Sequence, residues 1–278
     1  MAAGKERTAL VTGATDGVGR VVARELAKQG WRVLVHGRDR GRGEALVQEI
    51  EKAGGNATFL AADLASLAEV RRLADAVRQQ TDRLDLLINN AGIGTAGNAP
   101  GRQTSADGHE LRFAVNYLAG FLLTHLLLPL LKAAAQEKGG ARIVNVASAG
   151  QQAIDFSDVM LTRHYSGIAA YCQSKLAQIL FTVDLADELK GSGVIANALH
   201  PSTFMNTTMV RQSGTQPMSK VEDGAEAILQ LAVSPALEGK SGLYFNVLRE
   251  ARANPQAYDA AARRQLRALS LELSGLKG

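Results

Sequence analysis

Short apolar runs alternate along this chain with longer stretches whose apolar positions recur every three or four residues, the two periods expected of buried strands and of helices. Residues 8–11 (Thr-Ala-Leu-Val) make the first run. Residues 18–29 follow with an apolar face at Val18, Val21, Val22 and Leu26, and Gly30 stops them. The rhythm repeats: strands over 32–36, 57–61, 84–89, 142–147 and 194–199, and a seventh over 242–247. The intervening helices fall at 42–52, from Ser66 to about Gln80, after Asp107, at 170–190 and at 222–232. Ser66 and Glu69 stand three apart, the spacing of a capping box.

This alternation predicts an α/β fold: a doubly wound sheet of about seven parallel strands with helices on both faces. Several strands are apolar at nearly every position, as when both faces of a sheet are covered. Right-handed crossovers then bring the loops after the strands to one edge, where ligands bind beside the reversal of strand order. With no internal repeat and no Pro/Ser-rich linker, residues 1–278 read as a single domain. The tail, about 254–276, reads as a surface helix started by Pro255, with Arg263, Arg264 and Arg267 on a solvated face.

Composition narrows the class. Of 278 residues, 46% are hydrophobic and 21% charged, which excludes global disorder. The formal charge of +4 is small and spread along the chain, so no nucleic-acid partner is expected. Cys172, the single cysteine, excludes an internal disulfide and a multi-cysteine metal site. Together with the absence of an apolar run before the charges of residues 1–7, it points to the cytoplasm. His36, His109, His125, His164 and His200 show no metal-ligand spacing, and no metal is expected. The apolar stretch 111–131 is long enough to suggest a membrane span, but Arg112, Asn116, His125 and Pro129 would be costly in lipid. A buried core helix is expected instead.

Two groups of residues carry chemistry. Between the first strand and helix lies Thr12-Gly13-Ala14-Thr15-Asp16-Gly17-Val18-Gly19. Its glycines permit a tight turn and close approach of backbone to a pyrophosphate, which the helix N-terminus attracts. The second strand ends in His36-Gly37-Arg38, where an acidic residue would hold the ribose hydroxyl of NAD. Arg38 instead suits a 2′-phosphate, so the expected cofactor is NADP(H). The second group is Tyr171-Cys172-Gln173-Ser174-Lys175, in which Tyr171 and Lys175 share a helix face. An ammonium about 4 Å from a phenol at an effective dielectric of ~20 is worth roughly 4 kcal/mol, enough to lower the phenol's pKa toward neutrality. Such a phenol exchanges a proton with a carbonyl oxygen as hydride arrives or leaves. Cys172 points elsewhere and reads as a packed thiol.

These motifs occur with Asn89-Asn90-Ala91-Gly92 after the fourth strand, Asn145-Val146-Ala147-Ser148 at the fifth, and Asn116 between them. In that order, over almost the whole chain, they resemble the short-chain dehydrogenase/reductase family, with its Rossmann-type fold. Residues 169–177 and the long gap between Ser148 and Tyr171 resemble its retinol-dehydrogenase-like branch. The resemblance implies Tyr171 as general acid/base and Lys175 as the residue that binds the nicotinamide ribose and lowers the tyrosine's pKa. It implies Ser148 on the substrate oxygen, and Asn116 holding a water in a proton relay. It assigns cofactor contacts to Gly13, Thr15, Asp16, Gly17, Val18 and Gly19, to Asp63 and Leu64 near the adenine, to Asn90, Ala91 and Gly92, and to Pro201 and Thr203 beside the nicotinamide. Two positions depart from the family pattern. Pro201-Ser202 replaces Pro-Gly, and Ala147-Ser148 replaces Ser-Ser.

Specificity is expected in loops over the cofactor: 94–105, the insert 151–168, and 203–219 with Phe204, Met205, Met209, Val210 and Met218. The expected substrate is a lipophilic or aromatic carbonyl compound or its alcohol. Membrane-bound members of the branch carry an amino-terminal anchor not seen in this sequence, and a retinoid is not inferred. Reduction of an activated carbon–carbon double bond, or a dinucleotide-sensing scaffold without turnover, are the alternatives. The family also implies a homodimer or homotetramer, and the apolar 111–131 stretch suits such an interface.

Overall fold

The protein is described by a computed structural model over residues 6–95, 101–136 and 140–277. Strand β1 (Thr8–Val11) lies between β2 (Arg32–Gly37) and β4 (Leu86–Asn89), and β3 (Asn56–Ala61) flanks β2. Beyond β4 the sheet continues with β5 (Ala141–Val146), β6 (Val194–His200), β7 (Tyr244–Asn246) and β8 (Arg249–Ala251). The order β3-β2-β1-β4-β5-β6-β7-β8 is that of a doubly wound sheet. Seven strands are parallel, as the sequence pattern predicts.

The eighth strand is an addition, antiparallel to β7. Its three residues, Arg-Glu-Ala, are too few and too polar to announce a strand. Asn246 pairs with Arg249, so Val247 and Leu248 form the turn, and Val247 takes a left-handed φ of 56°. That conformation is usually reserved for Gly or Asn, so the turn has no sequence signature.

Alternation along β1 divides the core. Leu10 belongs to one apolar cluster, Ala9 and Val11 to the other. Helices α1 (Gly17–Lys28), α2 (Arg40–Lys52) and α7 (Val221–Val233) cover the Val11 side. Helices α3 (Leu67–Gln80), α4 (Ala119–Ala135), α5 (Gly167–Glu188) and α8 (Ala260–Ser274) cover the Leu10 side. A short helix, α6 (Thr208–Gln212), lies in the connection after β6. Ser66 caps α3, its hydroxyl accepting from Glu69 N at 3.4 Å.

The long apolar helix contains a π-helical segment, Phe113–Leu118, that runs into α4. By length and mean hydropathy (1.7), Phe113–Ala135 could cross a membrane, yet 56% of its apolar window is buried inside the fold. Leu122, Leu123, Leu127 and Leu131 are fully buried there.

The tail departs from its expected solvated face. Arg263 reaches Asp187 at 3.3 Å, and Arg267 reaches Asp184 at 3.0 Å and also Glu188, all on α5. Leu266 is buried, and Ser270 meets Tyr117 Oη at 2.6 Å. Only Arg264 of the three arginines is exposed. Tail helix α8 thus lies against α5.

Candidate active site

The order of strands reverses between β1 and β4, and a cavity of about 430 Å³ opens at their C-terminal ends. Its floor is the turn after β1. Gly13 has φ +64°, and a Cβ there would stand 2.8 Å from the Ala91 backbone. Side chains therefore cannot intervene between this turn and the segment after β4. Asp16 caps α1, its Oδ1 accepting from Gly17 N at 2.7 Å. The next N–H groups of the first helical turn, at Val18 and Gly19, have no intrahelical partner and adjoin the cavity. A bare backbone cradle with free donors and a helix dipole fits a pyrophosphate.

The turn is braced from two sides. Asn90 Nδ2 donates to Thr12 O (2.8 Å) and Gly13 O (3.1 Å), while Thr12 Oγ1 accepts from the N–H groups of Asn90 and Ala91. On the other side Gly13 N donates to His36 Nδ1 (3.2 Å), and His36 Nε2 lies 3.2 Å from Ala62 O. With Nδ1 accepting and Nε2–H donating, His36 is neutral, and burial pulls its pKa down to about 4. Sequence reading weighed His36 only as a metal ligand. The available signal was a polar residue ending an apolar strand beside the glycine turn.

This histidine has a consequence for acid stability. In the unfolded chain it would titrate near 6.5, so between about 6.5 and 4 the unfolded state binds a proton that the folded state does not. Stability is therefore lost as pH falls through that window. His36→Leu is expected to flatten this slope and, by orphaning the Gly13 N–H, to cost roughly 1–3 kcal/mol at pH 8. Urea denaturation across pH measures both.

Arg38, Asp63 and Leu64 line the far end of the cavity. Arg42 joins them from α2, with its guanidinium 3.7 Å from Asp16 Oδ2 and 3.5 Å from Asp39 Oδ2. The sequence pattern gives Arg42 only as the first residue of the second helix. Its spacing of four from Arg38, across a helix start, was the missed signal. The two arginines make this end fit a phosphate despite the neighbouring carboxylates.

Tyr171 and Lys175 line the opposite end, with Gly92 and Pro201. Ser148 Oγ accepts from Gly150 N at 3.0 Å, and its hydroxyl lies near enough to the Tyr171 phenol to favour the ionised form. The carbonyl of Ser148 is held by Tyr244 Oη at 3.1 Å and by Gln151 Nε2 at 3.0 Å. Lys175 is buried, and its Nζ donates to Val146 O (2.8 Å) and Gln178 Oε1 (3.0 Å). Desolvation pulls this ammonium down to about 7.

One expectation is corrected here. The phenol's pKa is not lowered, although Lys175 Nζ lies 5.8 Å from the Tyr171 ring centroid. Burial pushes the Tyr171 phenol up, opposed by the nearby Ser148 hydroxyl. Asn116 lies beside Lys175: a Cβ on Gly92, which lines the cavity, would come 3.3 Å from Asn116 Oδ1 and 3.5 Å from Lys175 Nζ. Its Oδ1 accepts from Ile93 N (2.7 Å), and its Nδ2 donates to Ile93 O (3.1 Å) and Ser174 Oγ (2.9 Å). It sits in the π-helical segment that precedes α4.

Thr203 is absent from the cavity wall: its Oγ1 meets His200 Nε2 at 3.0 Å, and its carbonyl accepts from Ser219. The chain turns at Phe204, with φ +44°, and the following residues form the wall instead. Met205, Thr207, Thr208 and Met209 line it. A Cβ on Gly17 would lie 3.3 Å from Thr207, and one on Gly94 would lie 2.7 Å from Met209. The segment thus spans the mouth from the glycine turn to the loop after β4. Of the other loops expected to set specificity, residues 96–100 lie outside the described residues.

The chain matches the short chain dehydrogenase family over residues 7–217. It is 39% identical over 291 residues to retinol dehydrogenase 13 of Homo sapiens, covering 98% of this chain and 85% of that protein. An RhlG–NADP complex of Pseudomonas aeruginosa has a TM-score of 0.71 and 29% identity, over 88% of this chain and 95% of its own. An NADPH-bound carbonyl reductase from chicken fatty liver has a TM-score of 0.69 and 28% identity, over 90% and 99%.

Proposed function

The chain belongs to the short chain dehydrogenase family of oxidoreductases, and from that premise we propose that it moves a hydride between NADP(H) and a lipophilic or aromatic carbonyl compound or its alcohol. The observation that carries the reading is one cavity with a phosphate cradle and two arginines at one end, and Tyr171 and Lys175 at the other, with Ser148 beside Tyr171. Names of similar proteins agree: a retinol dehydrogenase handles a lipophilic alcohol, and NADP or NADPH occupies both structural neighbours.

Gly13 and the first turn of α1 would hold the pyrophosphate, Arg38 and Arg42 the 2′-phosphate, and Lys175 the nicotinamide ribose. When bound, the dinucleotide supplies or accepts the hydride. Ser148 Oγ orients the substrate oxygen beside Tyr171 Oη. Because burial raises its pKa, Tyr171 holds its proton at neutral pH and gives it to that oxygen during reduction. Lys175 sits beneath with a charge poised near neutrality. Asn116 braces Ile93 against α5, keeping the loop after β4 at a fixed distance from the tyrosine. Met205 and Met209 give the mouth an adaptable apolar wall.

Calorimetric titration with NADPH and NADH tests this, followed by a screen of aromatic aldehydes and ketones. NADPH should bind more tightly. Arg38→Ala should weaken NADPH by about 1.5–3 kcal/mol, some 10- to 150-fold, and leave NADH nearly unchanged. Equal loss for both cofactors would refute the 2′-phosphate assignment, and binding of neither by folded protein would refute the oxidoreductase mechanism.

A further inference from the structure

Arg112 has no place in the mechanism above, yet it is one of the largest fully buried side chains in the protein, at 2% exposure. Every nitrogen of its guanidinium is engaged. Nε donates to Gly94 O at 2.8 Å, Nη2 donates to Thr95 O at 2.7 Å, and Nη1 donates to Tyr165 Oη. Nη1 also lies 3.7 Å from Glu110 Oε1. Glu110 is equally buried and caps the π-helical segment, Oε2 accepting from Phe113 N at 2.7 Å. The network ties three pieces of chain. The first is the loop after β4, whose Ile93 and Gly94 line the cavity. The second is the end of the 151–168 insert, through Tyr165. The third is the start of the segment carrying Asn116, one turn beyond Arg112. A fourth contact closes the set: a Cβ on Gly167 would overlap Thr95 O and come 3.3 Å from Arg112 Nη2. Gly167 opens α5, one turn before Tyr171.

A planar fork with fixed donors is suited to holding two adjacent carbonyls and a phenol at once, which a lysine ammonium does poorly. Burying an ion pair is expensive and seldom retained for stability alone. We propose that Arg112 is a positioning residue for the reaction: it fixes the loop 93–95 and the first turn of α5 against each other, and so sets the distance between the cavity wall and Tyr171. This rests on the reading of Tyr171 as the proton donor.

Three variants test it. Arg112→Lys keeps the charge and removes the fork. Glu110→Gln/Arg112→Met removes both charges together, so that neither is left buried and unpaired. Tyr165→Phe cuts only the tie to the insert. Hydrogen–deuterium exchange on the free protein should show faster exchange at 92–95 and at 167–171 together in the first two, and at 167–171 in the third. Turnover, measured well below each variant's melting midpoint, should fall at least about tenfold in the first two, because small misplacements at a reacting centre are costly. KM should change less than about threefold, since substrate-binding groups are untouched. A lowered midpoint with turnover within about twofold of wild type would make the network a plain structural brace and overturn the proposal. If neither charged-pair variant folds, Tyr165→Phe decides, and unchanged exchange and turnover there overturn it. Tyr171→Phe, assayed alongside, separates the two readings. An inactive Tyr171→Phe beside fully active Arg112 variants refutes the tie alone, whereas an active Tyr171→Phe refutes both.

Discussion

Replacing Tyr171 with Phe is expected to lower turnover by about 10²- to 10⁴-fold in both directions, the usual worth of a positioned general acid or base. The substitution removes one oxygen and keeps the ring, so packing in α5 is preserved. Ser148 keeps its bond from Gly150 N, and its carbonyl stays held by Tyr244 and Gln151. NADPH affinity should therefore stay within about twofold, because the phosphate and ribose contacts lie elsewhere. In the wild type the raised phenol pKa has a directional consequence. At neutral pH the phenol is protonated and ready to donate, so reduction should be fastest while Lys175 is also charged and should fall as that ammonium deprotonates near pH 7. Alcohol oxidation needs the deprotonated form, so its rate should climb toward alkaline pH. Steady-state rates in both directions, with calorimetry for the cofactor, test the set. A Tyr171→Phe variant retaining more than about a tenth of wild-type turnover would refute the role.

The fold was legible because its signals are short-range and redundant. Apolar runs at β1, β2 and β5, glycines after β1 and Ser66 ahead of α3 each state their element locally. The cofactor turn was legible for the same reason. What the pattern concealed depended on contacts distant in sequence, or on backbone shapes with no compositional mark. A π-helical segment looks like an apolar helix in any periodicity count, so the one at Phe113–Leu118 was hidden. The β7–β8 turn is built on Val247 and carries no turn signal. Arg263 and Arg267 read as solvated because their partners Asp184, Asp187 and Glu188 lie some eighty residues away. Tyr165 has Ala169, not a lysine, one turn on, so sequence spacing gives it no partner. Its actual partners, Arg112 and Glu110, are more than fifty residues back. The spacing of Tyr171 and Lys175 placed both on one face, but spacing does not say where an ammonium ends. Val146 O and Gln178 accept from it, and burial weakens its charge.

Lys175 supplies the second large effect. At roughly 6 Å and an effective dielectric of ~20, a full positive charge stabilises a developing phenolate by about 3 kcal/mol. Lys175→Met should therefore slow turnover by about 100-fold. The same substitution has an opposite effect on the fold. In the unfolded chain this lysine holds its proton to about pH 10.4, whereas burial lets it go near 7 in the folded protein. Between those values the unfolded state binds one more proton than the folded state, so stability rises with pH across the window, by ~1.4 kcal/mol per unit at most. Below pH 7 both states are charged and the full desolvation penalty remains. Methionine carries no charge in either state and should lack this slope. The variant should accordingly be more stable than the wild type below pH 7, with an advantage that shrinks as pH rises toward 10. Denaturant melts of both proteins at pH 6, 8 and 9.5 measure it. Parallel slopes would mean that the ammonium is not desolvated in the free protein, and a turnover loss of less than about fivefold would mean that its charge does not reach the phenol.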